Sequence, residues 1–257
     1  MHGTPEAAEL AGQLRHAFTA GELTAFYQPE YDMQTLDVVA LEALCRWQHP
    51  RHGLLLPERF IDIAEHYGLI VEVGHFMLEE SGSRVAAWHR RGLHVELSIN
   101  VSPTELVPDF AVTVLRRLRE LELPDQAVTI EITESPAISY TRDEVYTLEA
   151  LIDGGVGVSI DDFGTGSTSL ELVRLLPITE VKIDKALMHD PRRAIDDLVH
   201  ECVSIARDRE AIVVAEGIET EAHFDRAQHW GCERGQGYYF SPPLPQRQIE
   251  ELLLAMQ

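Results

Sequence analysis

The chain has 257 residues, 45% of them hydrophobic, and its formal net charge is −22. That length accommodates one large domain with a full core, and about 250 residues is the usual size of a single α/β barrel. So acidic a composition argues against nonspecific binding to DNA, RNA or an anionic membrane, and no stretch approaches the roughly 18 apolar residues of a spanning helix. Cys45, Cys202 and Cys232 form no C-x-x-C pair and, being three, cannot all pair within the chain. A reduced, cytoplasmic compartment fits them. The 12 histidines show no H-x-x-x-H or H-E-x-x-H spacing, so they are read as surface or core residues and not zinc ligands.

In chain order, Ala7, Leu10, Ala11, Leu14 and Phe18 predict an amphipathic helix over 5–20, stopped by Gly21. It either packs under the domain or continues an upstream linker. Residues 24–31 and 37–47 read as strands joined by a segment too short for a helical crossover, so they pair antiparallel. On the second strand Glu42 and Arg46 share the sheltered face, which a structural ion pair would explain. Helices follow over 57–67 and 69–91, a strand over 94–101, helices through 121, and a strand over 128–133. A helix over 141–153 precedes the strand 156–160, which runs into Asp161, Asp162 and a glycine-hinged loop. The remaining elements are a helix over 168–175, a strand over 180–184, a helix over 191–208, a strand over 211–216, a helix over 221–230, a short strand over 234–240 and a helix over 246–256.

Eight strands, each followed by helix after the opening hairpin, predict a TIM-like (βα)8 barrel with one antiparallel strand contributed by the N-terminal hairpin. Residues 1–257 read as a single domain of this type. Side chains alternate along a strand, and the alternation is informative here. One parity is Val, Ile, Leu or Ala; the other carries Glu42, Asn100, Glu131, Asp161, Lys182 and Glu216 near the carboxyl ends. In a closed barrel these groups converge at one mouth. Asp161 or Asp162 alone would equally fit a helix cap; the repetition on other strands favours a shared site. Clustered carboxylates lose hydration and repel, and Lys182 with Arg46 cannot neutralise them all. Oxygen donors without thiolate or imidazole select Mg²⁺ or Mn²⁺, and adjacent Asp161 and Asp162 can reach two ions about 3.5–4 Å apart.

The ordered motifs are Tyr27-Gln28-Pro29, Glu42-Ala43-Leu44 with Arg46 and Trp47, Asn100-Val101-Ser102, and Glu131-Ile132-Thr133-Glu134. Asp161-Asp162-Phe163-Gly164-Thr165-Gly166, Lys182-Ile183-Asp184, Ala215-Glu216-Gly217-Ile218-Glu219 and Gln236-Gly237-Tyr238 complete the set. In these the chain resembles the EAL-domain cyclic di-GMP phosphodiesterases over 24–245. The resemblance implies metal-dependent hydrolysis of cyclic di-GMP to linear pGpG by in-line attack of a metal-activated water. It implies two ions, with Glu42, Asn100, Glu131 and Asp161 holding the first and Asp161, Asp162 and Glu216 the second. Lys182 resembles the lysine that holds the attacking water, and it forms the catalytic set with Glu42 and with Glu134, the glutamate that steadies the loop 163–169. Gln28 and Arg46 look like substrate contacts, Arg46 at a phosphate, and Gln236 resembles a residue on the metal-bound water network. Asp184 joins them on the substrate side, and Tyr238, Tyr239 and Phe240 are candidates for a base-facing wall, Tyr239 chief among them.

The family link also implies a homodimer and fused or associated sensory or GGDEF domains. Two departures stand out: Ser167 where the family commonly has Tyr, and Ala186-Leu187 where Ser-Phe is usual. Neither is a ligand, so they bear on loop packing and dimer-coupled regulation. The alternative reading is a catalytically silent cyclic di-GMP receptor; such members typically lose metal ligands, and none is missing here. Cys45, on the apolar parity, is expected in the core, Trp47, Trp88 and Trp230 in the core or an interface and not stacked on guanine, and Arg90-Arg91 and Arg116-Arg117 at solvated helix ends.

Overall fold

A computed structural model describes residues 4–133, 140–165 and 169–256. The helix Pro5–Ala20 opens on Thr4, whose side chain accepts from Ala7 N, and closes at Gly21 in the left-handed conformation. Among the described residues ten strands follow: β1 (Leu23–Asp32), β2 (Val38–His49), β3 (Gly53–Leu55), β4 (Glu96–Val101), β5 (Val128–Thr133), β6 (Gly157–Phe163), β7 (Glu180–Ile183), β8 (Ile212–Ala215), β9 (Arg234–Gly235) and β10 (Leu244–Pro245). They pair in the order β10-β1-β9-β8-β7-β6-β5-β4-β2-β3, and β1 also pairs with β2. Eight strands therefore close on themselves. β1 is antiparallel to both β2 and β9, while β2, β4, β5, β6, β7, β8 and β9 run parallel, each to the next. This is the expected barrel with one reversed strand. The short β3 and β10 were not foreseen; each extends one strand of the hairpin.

The outward parity packs beneath the helices: Leu97, Ile99, Ile130, Ile132, Val158, Ile160, Val181, Ile183 and Val213 are all buried. Trp47, Trp88, Trp230 and Cys45 are buried as expected. At the paired arginines, Arg91 pairs with Glu250, Arg116 with Glu120, and Arg117 with Glu79 and Glu120. Inside the barrel, branched apolar side chains usually fill the layers. Here the inward parity brings buried Glu30, Glu42, Glu131, Asp161, Glu180 and Lys182 instead.

Two expected boundaries shift and one helix is added. β6 continues through both aspartates, with an irregular register between Ile160 and Phe163 and Asp162 at φ 57°. A bulge of this kind re-aims side chains at a barrel rim. The last barrel strand is only two residues long, because Gly237, at φ 155°, turns the chain against the backbone of Ile218. A helix over Lys185–His189, capped by Asp184, was not predicted.

Candidate metal centre

Register explains how residues remote in sequence meet. Glu42 lies opposite Ser98 and Gln28, Asn100 opposite Glu131, and Thr133 opposite Asp161, so successive strands deliver their carboxyl-end side chains to one rim. Glu42 sits at the centre. Its Oε1 accepts from Asn100 Nδ2 at 2.9 Å, and its Oε2 accepts from Gln236 Nε2 at 2.7 Å and from Lys182 Nζ at 3.1 Å. Lys182 Nζ also lies 2.9 Å from Glu131 Oε1, 2.9 Å from Glu216 Oε1 and 3.9 Å from Asp161 Oδ1. The contact to Glu131 is an ion pair without hydrogen-bond angles, and both Glu131 oxygens remain without a donor.

The expected Glu42–Arg46 ion pair is not among the ion pairs of the described residues. The buried ammonium of Lys182, arriving from β7, takes Glu42 instead. Arg46 turns aside, donating to the Cys45 carbonyl oxygen at 2.9 Å with its guanidinium 5.6 Å from the Phe26 ring centroid.

The electrostatics follow from one lysine among many acids. Burial pushes Glu42 up, but Lys182, Gln236 and Asn100 outweigh it and hold the carboxyl below its usual range. Burial drives Glu131 and Glu216 well above theirs, against the pull of Lys182, and neighbouring carboxylates add to the rise. Asp161 is raised for the same first reason. Asp162 is pushed up to about 7 by burial, then by Asp161 and Asp184, whose carboxyl it touches. Burial lowers the pKa of Lys182, yet Glu131, Glu216, Glu42 and Asp161 prevail and it rises. In this arrangement Lys182 is a charged donor, not a base.

A cavity of about 610 Å³ opens over the cluster, lined by Gln28, Glu42, Asn100, Asp161, Asp162, Glu216 and Gln236, with exposed Tyr238 at its edge. Oxygens of Asp161, Asp162 and Glu216 lie within 4.8 Å of one another, a spacing that suits a hard cation. The orphaned oxygens of Glu131 beside them, and a donor set made only of oxygen, fit Mg²⁺ or Mn²⁺. Not every predicted residue joins the cavity. Arg46 is buried beside it, Asp184 caps its helix by accepting from Ala186 N at 2.7 Å, and Tyr239 packs toward Phe224 and Phe240. Glu134 and Ser167 lie outside the described residues. Leu187, one of the two departures after the lysine block, is buried where a Cβ on Gly164 would strike it.

Sequence reasoning missed a deeper layer. Glu30, Ser159, Glu180 and Arg234 occupy the inward parity one step below the mouth, and all but Arg234 are buried. Arg234 Nη1 donates to Glu96 Oε2 at 2.7 Å and stands 3.7 Å from Glu180 and 3.9 Å from Glu30. The clue was present: Glu30 shares the parity of Gln28, and Glu180 that of Lys182.

Comparison with known proteins gives one answer. A profile described as EAL domain matches residues 11–243. The bifunctional diguanylate cyclase/cyclic di-GMP phosphodiesterase MucR of Pseudomonas aeruginosa is 34% identical over 249 residues, covering 95% of this chain and 36% of that protein. The chain spans 36%, 30% and 29% of the first three curated relatives it matches. The solved PaMucR phosphodiesterase, in complex with c-di-GMP, superposes with a TM-score of 0.86 at 34% identity, covering 94% of this chain and 99% of that one. The EAL enzyme Bd1971, solved with cAMP and cyclic-di-GMP, superposes at 0.89 with 27% identity over 96% of this chain and 69% of that one. This chain belongs to the EAL domain family.

Proposed function

We propose that this chain hydrolyses cyclic di-GMP to linear pGpG, using two divalent ions, Mg²⁺ or Mn²⁺. The observation that carries the reading is a convergence of potential oxygen ligands: Glu42, Asn100, Asp161, Asp162 and Glu216 line one cavity, and the buried Lys182 ties Glu131 to Glu42, Asp161 and Glu216 beneath it. Glu42, Asn100, Glu131 and Asp161 would hold one ion, and Asp161, Asp162 and Glu216 the other. When bound, such ions polarise a phosphodiester, lower the pKa of water and stabilise a departing oxygen.

The protein's own contribution is positioning and charge. Asn100 and Gln236 grip opposite oxygens of Glu42 and fix the plane of that carboxylate. Lys182, charged and without access to solvent, is a donor aimed at the centre of the cluster and suits holding an attacking water. Arg46 must swing from Cys45 to reach a phosphate, whereas Gln28 and Tyr238 already border the cavity. Tyr239 would complete a base wall behind Tyr238. Asp184 steadies Asp162, with which it is in contact. Glu134 belongs to the same reading as a support for the loop after Phe163.

The chain is proposed to work as one barrel domain, dimeric, within or beside sensory and GGDEF domains. A cytoplasmic setting agrees with three buried free thiols and with the lack, among the described residues, of a helix long and apolar enough to cross a membrane. The test is release of pGpG from cyclic di-GMP with Mg²⁺ or Mn²⁺, measured by chromatography against Glu42→Gln. Turnover in the wild type, lost in the variant and in EDTA, is expected. Tight ligand binding without turnover in either metal would identify a receptor instead.

A further inference from the structure

Lys185 is the one cation on the wall of the mouth cavity among the described residues. The other charged side chains on that wall are all carboxylates, Asp161, Asp162, Glu216 and Glu219 among them. The two further cations near the mouth are already engaged. Lys182 lies beneath the wall, shared by Glu42, Glu131, Asp161 and Glu216, and Arg46 donates to the Cys45 carbonyl oxygen. Lys182 and Lys185 are the only lysines of the chain, and their circumstances are opposite. The first is fully buried among acids; the second is exposed and, among the described residues, makes no ion pair or hydrogen bond. Glu216 and Glu219 share the wall with it, yet neither pairs with it.

The root of this free side chain is nonetheless fixed. Lys185 opens the helix Lys185–His189, which Asp184 caps by accepting from Ala186 N at 2.7 Å. Gly217, at φ 64°, lets the loop after β8 close against it: a Cβ there would come within 2.3 Å of the Lys185 Cβ. His189 Nε2, on the same helix, donates to the Gly217 carbonyl oxygen at 2.9 Å. The stem therefore leaves the backbone beside Glu216, a ligand assigned to the second ion, and only the flexible end is uncommitted.

The inference rests on the proposed ligand. Cyclic di-GMP carries two phosphodiester groups, each with one negative charge. Ions at the mouth centre would neutralise the one that is cleaved. The other must sit against a wall of carboxylates, where an unpaired anion is repelled. A lysine ammonium is a compact charge with three donors, suited to a phosphate whose orientation is set elsewhere. We propose that Lys185 binds the second phosphodiester of the cyclic dinucleotide, the one that is not cleaved, and so makes the site favour the doubly charged ring over a linear dinucleotide with a single phosphate.

Wild type, Lys185→Gln and Lys185→Arg are titrated by calorimetry in Mn²⁺ with two ligands. One is the bis-phosphorothioate of cyclic di-GMP, which keeps both charges and resists cleavage; the other is linear GpG with a single phosphorothioate. Lys185→Gln is expected to weaken the cyclic ligand about tenfold and the linear one less than about twofold, with Lys185→Arg close to wild type. With cyclic di-GMP itself, Lys185→Gln should raise KM by a similar factor and leave kcat unchanged, the signature of an interaction made equally before and during cleavage. Equal affinity of wild type and Lys185→Gln for the ring, or equal losses for both ligands, would overturn the assignment. The expected binding pattern without pGpG release would refute hydrolysis and leave Lys185 in its place. Turnover with an unchanged KM in Lys185→Gln would do the reverse, and a wild type that binds neither ligand would refute both.

Discussion

Replacing Lys182 with Met tests the electrostatics of the mouth most directly. The side chain is 0% exposed, and its Nζ is within 3.1 Å of Glu42, Glu131 and Glu216 and 3.9 Å from Asp161. Methionine preserves much of the volume and removes the one charge that all four carboxylates share. Breaking a buried pair by deleting one partner costs about 3–5 kcal/mol. In a protein of this size that lowers the melting temperature by roughly 6–20 °C. The sign against pH follows from the shifts. A lysine whose folded pKa is raised contributes its full stabilisation below the unfolded value of 10.5, so that contribution is intact at neutral pH. Carboxyls held above 4.5 in the fold, such as Glu131 and Glu216, penalise folding increasingly as pH rises past that value. Without Lys182 those carboxyls rise further and Glu42 loses the charge that holds it low, so the deficit of Lys182→Met in EDTA should widen from pH 5 to pH 8. Saturating Mn²⁺ supplies the missing charge and should close most of it. Thermal melts in EDTA and in Mn²⁺ at both pH values measure this; equal melting temperatures in EDTA, or a deficit indifferent to Mn²⁺, would refute the reasoning.

Glu105, buried on the cavity wall, is pushed up to about 7 chiefly by burial, so its penalty appears above pH 4.5 and is complete above pH 7. Glu105→Gln retains an acceptor for Ser102 N and should be the more stable protein at pH 8 by up to about 3 kcal/mol, with parity at pH 4, by urea unfolding. Asp162 sits at φ 57°, a conformation asparagine tolerates; Asp162→Asn should keep the melting temperature in EDTA within a few degrees and weaken Mn²⁺ binding in calorimetry. Gly237→Ala would drive a Cβ into the backbone of Ile218 and displace Gln236 from Glu42, so pGpG formation is expected to fall about a hundredfold while the far-ultraviolet dichroism stays native.

The alternation of Val, Ile and Leu with acids on β4, β5, β6 and β7 made the barrel readable, because a two-residue period reports directly which face is covered by helices. The same period brought Glu42, Asn100, Glu131, Asp161, Lys182 and Glu216 into view as one face. Pairing was not readable. Glu42 and Arg46 stand four residues apart on one strand, and local reasoning joins them; the folded chain prefers a lysine 140 positions away. Such a choice depends on register and shear, which no strand carries in its own residues. The bulge at Asp161–Asp162 was equally hidden, since a positive φ at an aspartate leaves no mark in the alternation. Arg234 escaped for a related reason: its strand is two residues long, too short to show a period, although its charge balances the layer beneath the mouth.

Lys182 also makes stability and metal affinity opposing quantities. In the metal-free barrel its ammonium lies among the carboxylates that the ions would use, so it stabilises the fold before any ion arrives and stands in the way of those that do. A thermodynamic cycle makes the two effects inseparable. If Lys182→Met costs about 3–5 kcal/mol in EDTA and about 1 kcal/mol with Mn²⁺ bound, the difference of roughly 2–4 kcal/mol must reappear as tighter binding, summed over the ions. That is an increase of about 30- to 700-fold in the overall Mn²⁺ association constant of a variant that is less stable and, lacking its donor, less active. Calorimetry and denaturation measure the two sides of the cycle independently. Weaker Mn²⁺ binding by Lys182→Met would mean that the lysine organises the ligands more than it competes for them, and that the charge-replacement account of the barrel mouth is wrong.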